Sequence, residues 1–278
     1  MQMSTRRSGH FFEIGPKRTR RAIELWVLAA AFTLALLAFG RWRGLRALGG
    51  LAVTFVVLVY FVVPAILAGE SPLLVAIVGS SAVMLMVLYL THGFTLSTTV
   101  AVLGTIASFV LTGLLAALAV RAMHLTGVTD SADAAVAVIR GVDMSGLLLA
   151  GIVIGTLGVL DDVTVTQSVT VGELSRANPK YTVRELYGAA NRVGRSHIAS
   201  VVNTIILAYA GASLPLFILI AADTSSIGAV LTGPLLAQEI VRSAVATIGL
   251  IAAVPITNIL AAVALRHRGE PMALPEPA

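Results

Sequence analysis

The segment GIVIGTLGVLDDVTVTQSVTVGE, residues 151–173, joins a long apolar run to polar side chains at helical spacing. On a helix of about 3.6 residues per turn, small and polar residues fall on one stripe: Gly151, Gly155, Gly158, Asp162, Thr166 and Glu173. The apolar part, over residues 145–165, is long enough to cross a bilayer as a helix. The sequence therefore predicts a membrane-spanning helix with two aspartates, Asp161 and Asp162, near its end.

The composition of the whole chain is that of an integral membrane protein. Hydrophobic residues make up 57% of the 278 residues and charged residues 12%, whereas soluble domains carry about 25% charged residues. The mean hydropathy is +0.93. A spanning helix needs about 20 apolar residues, and seven stretches qualify: 23–40, 47–68, 72–91, 96–120, 145–165, 198–220 and 240–265. We predict an all-α fold, a polytopic transmembrane helical bundle of about seven spans.

The basic residues predict the orientation of this bundle. The loops over 41–46 and 176–195 and the segment 266–268 together hold ten Lys and Arg, and the opposite loops hold three. The positive-inside rule therefore predicts that the 175–197 loop and the C-terminus are cytoplasmic. The N-terminal tail carries six more basic residues, and its side stays open. The chain divides into a basic tail, a transmembrane domain and a polar tail, over 1–22, 23–268 and 269–278.

Two short helices are expected outside the spans. Residues 126–143 contain an Ala-rich run with Asp130 or Ser131 as an N-cap, which predicts an interfacial helix. Thr182 precedes Glu185 at capping-box spacing, which predicts a second, amphipathic helix in the 175–197 loop.

Asp161 and Asp162 are candidates for chemistry, because a carboxylate in a span is costly and usually functional. The glycines of the stripe are expected to pack against another helix inside the bundle, with Asp162 at the end of that face. Asp161 points about 100° away, toward the row of Thr164 and Ser168. Carboxylate oxygens favour a proton or a hard cation such as Na⁺, Mg²⁺ or Ca²⁺. The alternative is a solvated interfacial pair that binds the Arg-rich loop.

A polar residue in the sixth predicted span extends this site. Asn203 follows Ser196 and Ser200 at helical spacing, and it either lines a cavity with Asp162 or makes an interhelical hydrogen bond. The candidate residues for binding an ion or solute are Asp161, Asp162, Thr166, Gln167 and Asn203. The candidate residues for helix packing are Gly151, Gly155 and Gly158.

Several function classes find no support in the sequence. The chain contains no cysteine and no zinc-protease, phosphate-loop or dinucleotide motif, so we expect neither an enzyme nor a cofactor, and the identity of any metal stays open. The net charge of +5 is dispersed beside the spans, so no nucleic-acid partner is expected.

Three stretches carry a family resemblance: GIVIGTLGVLDDVTVTQSVTVGEL at 151–174, HIASVVNTIILAYAGASLPLFIL at 197–219 and EIVRSAVATIGLIAAVPIT at 239–257. They resemble the YibE/F family of bacterial membrane proteins, in particular its actinobacterial members, from about Leu25 to Val263. The resemblance implies a multi-pass protein of the bacterial cytoplasmic membrane, described as a permease without an assigned substrate. Similar proteins commonly have an extracytoplasmic domain before these spans, so we expect a longer reading frame upstream or a separate partner with that domain.

The leading functional expectation is a permease or transporter of a small solute or ion. The partners expected are the lipid bilayer, a cation or proton, and a second copy packed through Gly151 and Gly155. The first alternative is a non-transporting scaffold or subunit of a membrane complex. The second is a membrane enzyme that acts on a lipid or polyisoprenoid.

Overall fold

The computed structural model describes residues 16–128, 141–214, 217–218 and 233–268, and this part of the chain is helical without a strand. The elements are α1 Pro16–Val57, a π-helical turn Leu58–Val62, α2 Val63–Leu67, α3 Pro72–His92, α4 Leu96–Ala122, α5 Met144–Ala177, α6 Val183–Ala212 and α7 Pro234–Arg268. The all-α prediction is confirmed. Most of the interfacial helix expected over 126–143, most of the N-terminal tail and the whole C-terminal tail lie outside the described residues.

Six helical segments in the described residues are long and apolar enough to cross a membrane: Arg21–Trp42, Gly44–Leu67, Pro72–His92, Leu96–Ala122, Met144–Ala177 and Leu236–Leu265. The expected span over 198–220 has no counterpart among them. Its first residues belong to α6, where His197 and Asn203 lower the hydropathy, and its last part lies partly outside the described residues. The protein is a multi-pass membrane protein.

The chain forms two compact units, Met1–Leu48 and Gly49–Ala278. In the first unit α1 breaks at Arg41, whose backbone is non-helical with φ 45° and ψ −122°. Gly44 follows the break, and a Cβ there would collide with the backbone carbonyl of Leu36, so only glycine fits the close approach. The segment Arg21–Trp42 of this unit has no buried residue.

The second unit contains the bundle, with α5 at its centre. Helix α5 packs against α3, α4, α6 and α7. The largest fully buried apolar side chains come from several of these helices and include Phe109, Met84, Ile152, Leu160 and Leu250. Residues 163–174, too polar for a lipid-facing span, continue α5 as a helix, and Thr164, Gln167 and Ser168 are buried there.

Helix α6 begins with the predicted capping box. The Thr182 hydroxyl accepts a hydrogen bond from the Glu185 backbone N–H at 3.3 Å, and the Glu185 carboxylate accepts one from the Thr182 N–H at 2.8 Å. The amphipathic helix expected here is confirmed, but it is continuous with the start of the sixth expected span. One helix of 30 residues therefore replaces the two elements.

Candidate functional site

The glycine stripe of α5 lies on the outer face of the helix, so the predicted packing inside the bundle is wrong for most of it. Gly151 and Gly158 are exposed, and nothing lies within 4 Å of the place that a Cβ would take at either residue. Gly155 is also exposed, and its Cβ position lies 3.4 Å from the Tyr209 hydroxyl of α6. Sequence reasoning placed the stripe inward because glycine rows often mark helix contacts. Here the larger side chains on the opposite side of α5 form the core.

The two aspartates have different environments. Asp162 is exposed on the glycine stripe, and Thr166, one turn further along, is half-buried. Asp161 is half-buried, and its carboxylate oxygen Oδ1 is buried without a hydrogen-bond partner in the part of the chain that the structure describes. Thr164 comes three residues after Asp161, about 60° round α5, and its hydroxyl donates to the Asp161 backbone carbonyl at 3.2 Å. Of the pair, Asp161 is the one that reaches the interior.

Asn203 does not join this site. Gly194 of α6 faces Gln167 of α5 and Val254 of α7, and Asn203 comes nine residues later, about 180° round the helix. Its side chain is accordingly exposed on the far side of α6. The expected convergence of Asn203 with Asp162 in one cavity is therefore wrong. The spacing of Ser196, Ser200 and Asn203 defines a face of the helix correctly, but it carries no information on which face is buried.

Hydroxyl groups join α4 to α5 through the middle of the bundle. The Ser168 hydroxyl donates to the Ser97 backbone carbonyl at 2.8 Å, and the hydroxyl oxygens of Ser97 and Ser168 also lie 2.8 Å apart. Further along, the hydroxyls of Thr105 and Thr164 lie 2.7 Å apart. All four side chains are buried. The order of the two contacts shows that α4 and α5 run antiparallel.

Carboxamides form the corresponding contact between α6 and α7. The Asn258 amide Nδ2 donates to Asn191 Oδ1 at 2.9 Å. Gln167 approaches the same part of α6, since a Cβ on Gly194 would lie 2.8 Å from its Oε1. Thr257 touches α4, because a Cβ on Gly104 would collide with its hydroxyl. Gln167, Asn258 and Thr257 are each 0% exposed.

These contacts place polar groups of four helices at one level of the bundle. We call this set the polar layer; its members are Thr105, Thr164, Gln167, Asn191, Thr257 and Asn258. Several of its atoms are buried without a hydrogen-bond partner in the described chain: both amide atoms of Gln167, Asn258 Oδ1 and Thr257 Oγ1. Each unsatisfied buried polar group costs about 1–3 kcal/mol, so the layer is unfavourable for packing alone.

Residues 28–267 match the family model of YibE/F-like proteins. The chain belongs to the YibE/F-like family. Comparison with curated proteins and with solved structures found no match. The matched range contains α2 to α6, all but the C-terminal residue of α7 and the whole polar layer. The family membership that the sequence motifs indicated is confirmed.

The aspartates of this YibE/F-like protein are not held by the Arg-rich loop. Ion pairs in the described part of the chain include Arg176 with Glu173 at 3.3 Å and Arg242 with Glu239 at 3.4 Å. Neither Asp161 nor Asp162 is in an ion pair there. The interfacial pair with loop arginines, the alternative to a functional site, therefore has no support in the geometry. Nor do the described residues contain a cluster of three or more His, Cys, Asp or Glu that could hold a metal ion.

Sequence reasoning found only part of the polar layer of the YibE/F-like protein. It singled out Gln167, but it did not select Asn191 or the hydroxyls of α4. A signal for α4 exists, because four of its hydroxyl residues follow one helical stripe: Ser97, Thr105, Ser108 and Thr112. All four are buried. Asn191 gives no comparable signal, since it precedes Arg192 in a segment whose sequence predicts an exposed amphipathic helix.

Proposed function

We propose that this YibE/F-like protein is a permease that carries a small hydrophilic solute or ion across the bacterial cytoplasmic membrane. The single observation that supports the proposal is the polar layer, whose buried atoms include several without a hydrogen-bond partner among the described residues. The loop between α5 and α6 and the C-terminus face the cytoplasm in this proposal, as the charge distribution favours.

Lipid is the solvent that surrounds the spanning helices in this proposal. Lipid offers no hydrogen bonds, so a polar group at membrane depth is stable only against protein, water or a solute. The Gln167 amide is completely buried, and its oxygen and nitrogen have no hydrogen-bond partner among the described residues. Asn258 Oδ1 and Thr257 Oγ1 are likewise buried without a hydrogen-bond partner among the described residues. A hydrated solute that enters the layer would satisfy these atoms, and helix packing gains nothing from them.

The residues take different roles in the proposal. The carboxamide and hydroxyl oxygens of Gln167, Asn258 and Thr257 bind the solute. Asp161 lies six residues before Gln167, about 9 Å along α5, and its buried Oδ1 supplies the negative charge that couples movement to a proton or cation. Asp162, on the outer face, has no direct part. The proposal includes no catalytic step and no cofactor.

The test begins with ligand-dependent stability. Thermal unfolding of the purified protein is measured against Na⁺, K⁺, Mg²⁺, Ca²⁺, pH and common metabolites. A bound ligand raises the stability by about 2.7 kcal/mol at a hundredfold excess over Kd, which is readily detected. The stabilising solute is then used in flux assays with proteoliposomes. We expect Asn258→Leu and Asp161→Asn to abolish both the stabilisation and the flux.

The chain supplies a matched control for each variant. Asn203→Leu makes the same chemical change as Asn258→Leu on the exposed side of α6, and Asp162→Asn repeats Asp161→Asn on the outer face of α5. Both controls are expected to keep ligand response and flux. The proposal fails if no solute stabilises the parent protein, or if the interior and exterior variants respond alike.

A scaffold or complex subunit is the second candidate, and one observation favours it. Gly151, Gly158 and Asp162 are exposed along one stripe of a spanning helix, where a helix of a partner or of a second copy could approach closely. Gly151→Leu would then disrupt an assembly seen by native mass spectrometry. If Gly151→Leu breaks an assembly and no solute binds, the scaffold replaces the permease.

A further inference from the structure

A second site lies at the other end of the bundle from the polar layer. A cavity of about 520 Å³ separates the C-terminal part of α6 from the N-terminal half of α7. Its volume falls within the range of about 300–1,000 Å³ that is usual for small-molecule sites. The last residues of α7 that line the cavity are Thr247 and Ile248, and Thr247 comes ten residues, or about 15 Å, before Thr257 of the polar layer. The two sites are therefore separate.

The shape and lining of this cavity suit a hydrocarbon chain. It follows α7 from Leu236 to Ile248, a length of about 18 Å, which is more than half of a hydrocarbon core of about 30 Å. Ile206 on α6 and Ile240 and Ile248 on α7 line it and are each close to half exposed. Since these exposed apolar residues belong to helices of the membrane domain, the cavity opens sideways toward lipid.

Polar side chains also line this cavity. Glu239 lines the cavity and forms an ion pair with Arg242 at 3.4 Å, so the pair adds no net charge. Ser243 and Thr247 follow on α7, and the Thr247 hydroxyl is buried without a hydrogen-bond partner in the described chain. These groups donate and accept hydrogen bonds but favour neither an anion nor a cation.

We propose that the cavity binds a lipid with an uncharged, hydroxyl-bearing head, taken up from the surrounding bilayer. The hydrocarbon chain lies along the isoleucines, and the head hydroxyl bonds to Glu239, Ser243 or Thr247. An anionic head would meet the Glu239 carboxylate, and a cationic head would have to displace Arg242, which already pairs with that carboxylate at 3.4 Å. The proposal does not depend on transport through the polar layer.

Photolabelling tests this site. The full chain is reconstituted in phosphatidylcholine nanodiscs with a photoactivatable long-chain alcohol, and the labelled peptides are mapped by mass spectrometry. The corresponding carboxylate, ammonium compound and alkane are run beside it. We expect the alcohol to label residues 206–213 and 236–248 several-fold more strongly than the two charged probes. An excess of unlabelled alcohol should remove this labelling.

Variants separate a built site from ordinary contact with lipid. Ala210→Phe and Ala244→Phe fill the cavity and should abolish labelling, whereas Ala208→Phe, on an exposed position of α6 that does not line the cavity, should not. Ser243→Ala with Thr247→Val should weaken alcohol labelling about two- to tenfold and leave alkane labelling unchanged. Uniform labelling of all lipid-facing helices, equal labelling by a charged probe, or no effect of the filling variants would overturn the proposal.

Discussion

Substitution of Gly194 by alanine probes the polar layer through packing. A Cβ at this position of α6 would lie 2.6 Å from Val254 Cγ1 and 2.8 Å from Gln167 Oε1. Carbon atoms in contact normally lie about 3.5–4.0 Å apart, so one of the neighbours must move by about 1 Å. Val254 is 2% exposed and Gln167 0%, which leaves neither side chain free space. Overpacking of this kind costs about 1–3 kcal/mol.

The measured effect of Gly194→Ala also contains a helix-propensity gain of about 1 kcal/mol, because alanine is the better helix former. Gly151→Ala is the matched control, since Gly151 is inside α5 and nothing lies within 4 Å of its Cβ position. The difference between the two variants isolates the packing term of about 1–3 kcal/mol. At roughly 2–4 °C per kcal/mol, Gly194→Ala should unfold about 2–12 °C below Gly151→Ala in a thermal assay in detergent.

A double variant identifies the neighbour that resists the new methyl group. Val254→Ala removes the atom that lies 2.6 Å from the added Cβ, so its cost should be smaller in the Gly194→Ala background than in the parent. Coupling between contacting residues of this kind is about 0.5–3 kcal/mol. Equal unfolding temperatures for the Gly194 and Gly151 variants, or strict additivity with Val254→Ala, would refute the close approach of α6 to α5 and α7.

Three substitutions, each of which removes one observed hydrogen-bonding group, test other contacts of the bundle. Thr182→Ala removes the N-cap of α6 and should destabilise its first turn by about 1 kcal/mol, seen as faster hydrogen exchange there; unchanged exchange would contradict the cap. Ser168→Ala removes the bonds to Ser97 and should cost about 0.6–1.7 kcal/mol in thermal unfolding, and no loss would contradict the buried contact. Asn191→Ala leaves the Asn258 amide buried without its acceptor and should cost about 1–3 kcal/mol, more than Asn203→Ala at the exposed position.

The predicted helices agree with the structure where composition alone decides them. The apolar runs that lie within α3, α4, α5 and α7 are long enough to cross a bilayer. In lipid, a single chain segment satisfies its backbone hydrogen-bonding groups only as a helix. The start of α6 at Thr182 was also predictable from the sequence, because a capping box joins residues that are three apart in the chain. Prediction from hydropathy was wrong at the sixth expected span, because it assigned two separate elements to residues that form the single helix α6.

The candidate site was predicted less completely, because helical spacing identifies a face of a helix without saying what that face meets. Gly151 and Asp162 do share a stripe of α5, as the spacing predicts, but the stripe lies on the outside. Asn203 and Asn258 both lie in apolar stretches of the sequence. Asn203 is nevertheless exposed, whereas Asn258 is completely buried.

That this chain is a multi-pass helical membrane protein of the YibE/F-like family follows from its amino-acid sequence, because hydrophobic length and motif are properties of contiguous residues. Which polar groups meet depends on the tertiary structure. Ser97 and Ser168 are 71 residues apart in the chain, and Asn191 and Asn258 are 67 apart, yet each pair is within hydrogen-bond distance. Such contacts depend on how whole helices are rotated and stacked, and rotation is set by the packing of all their large side chains together.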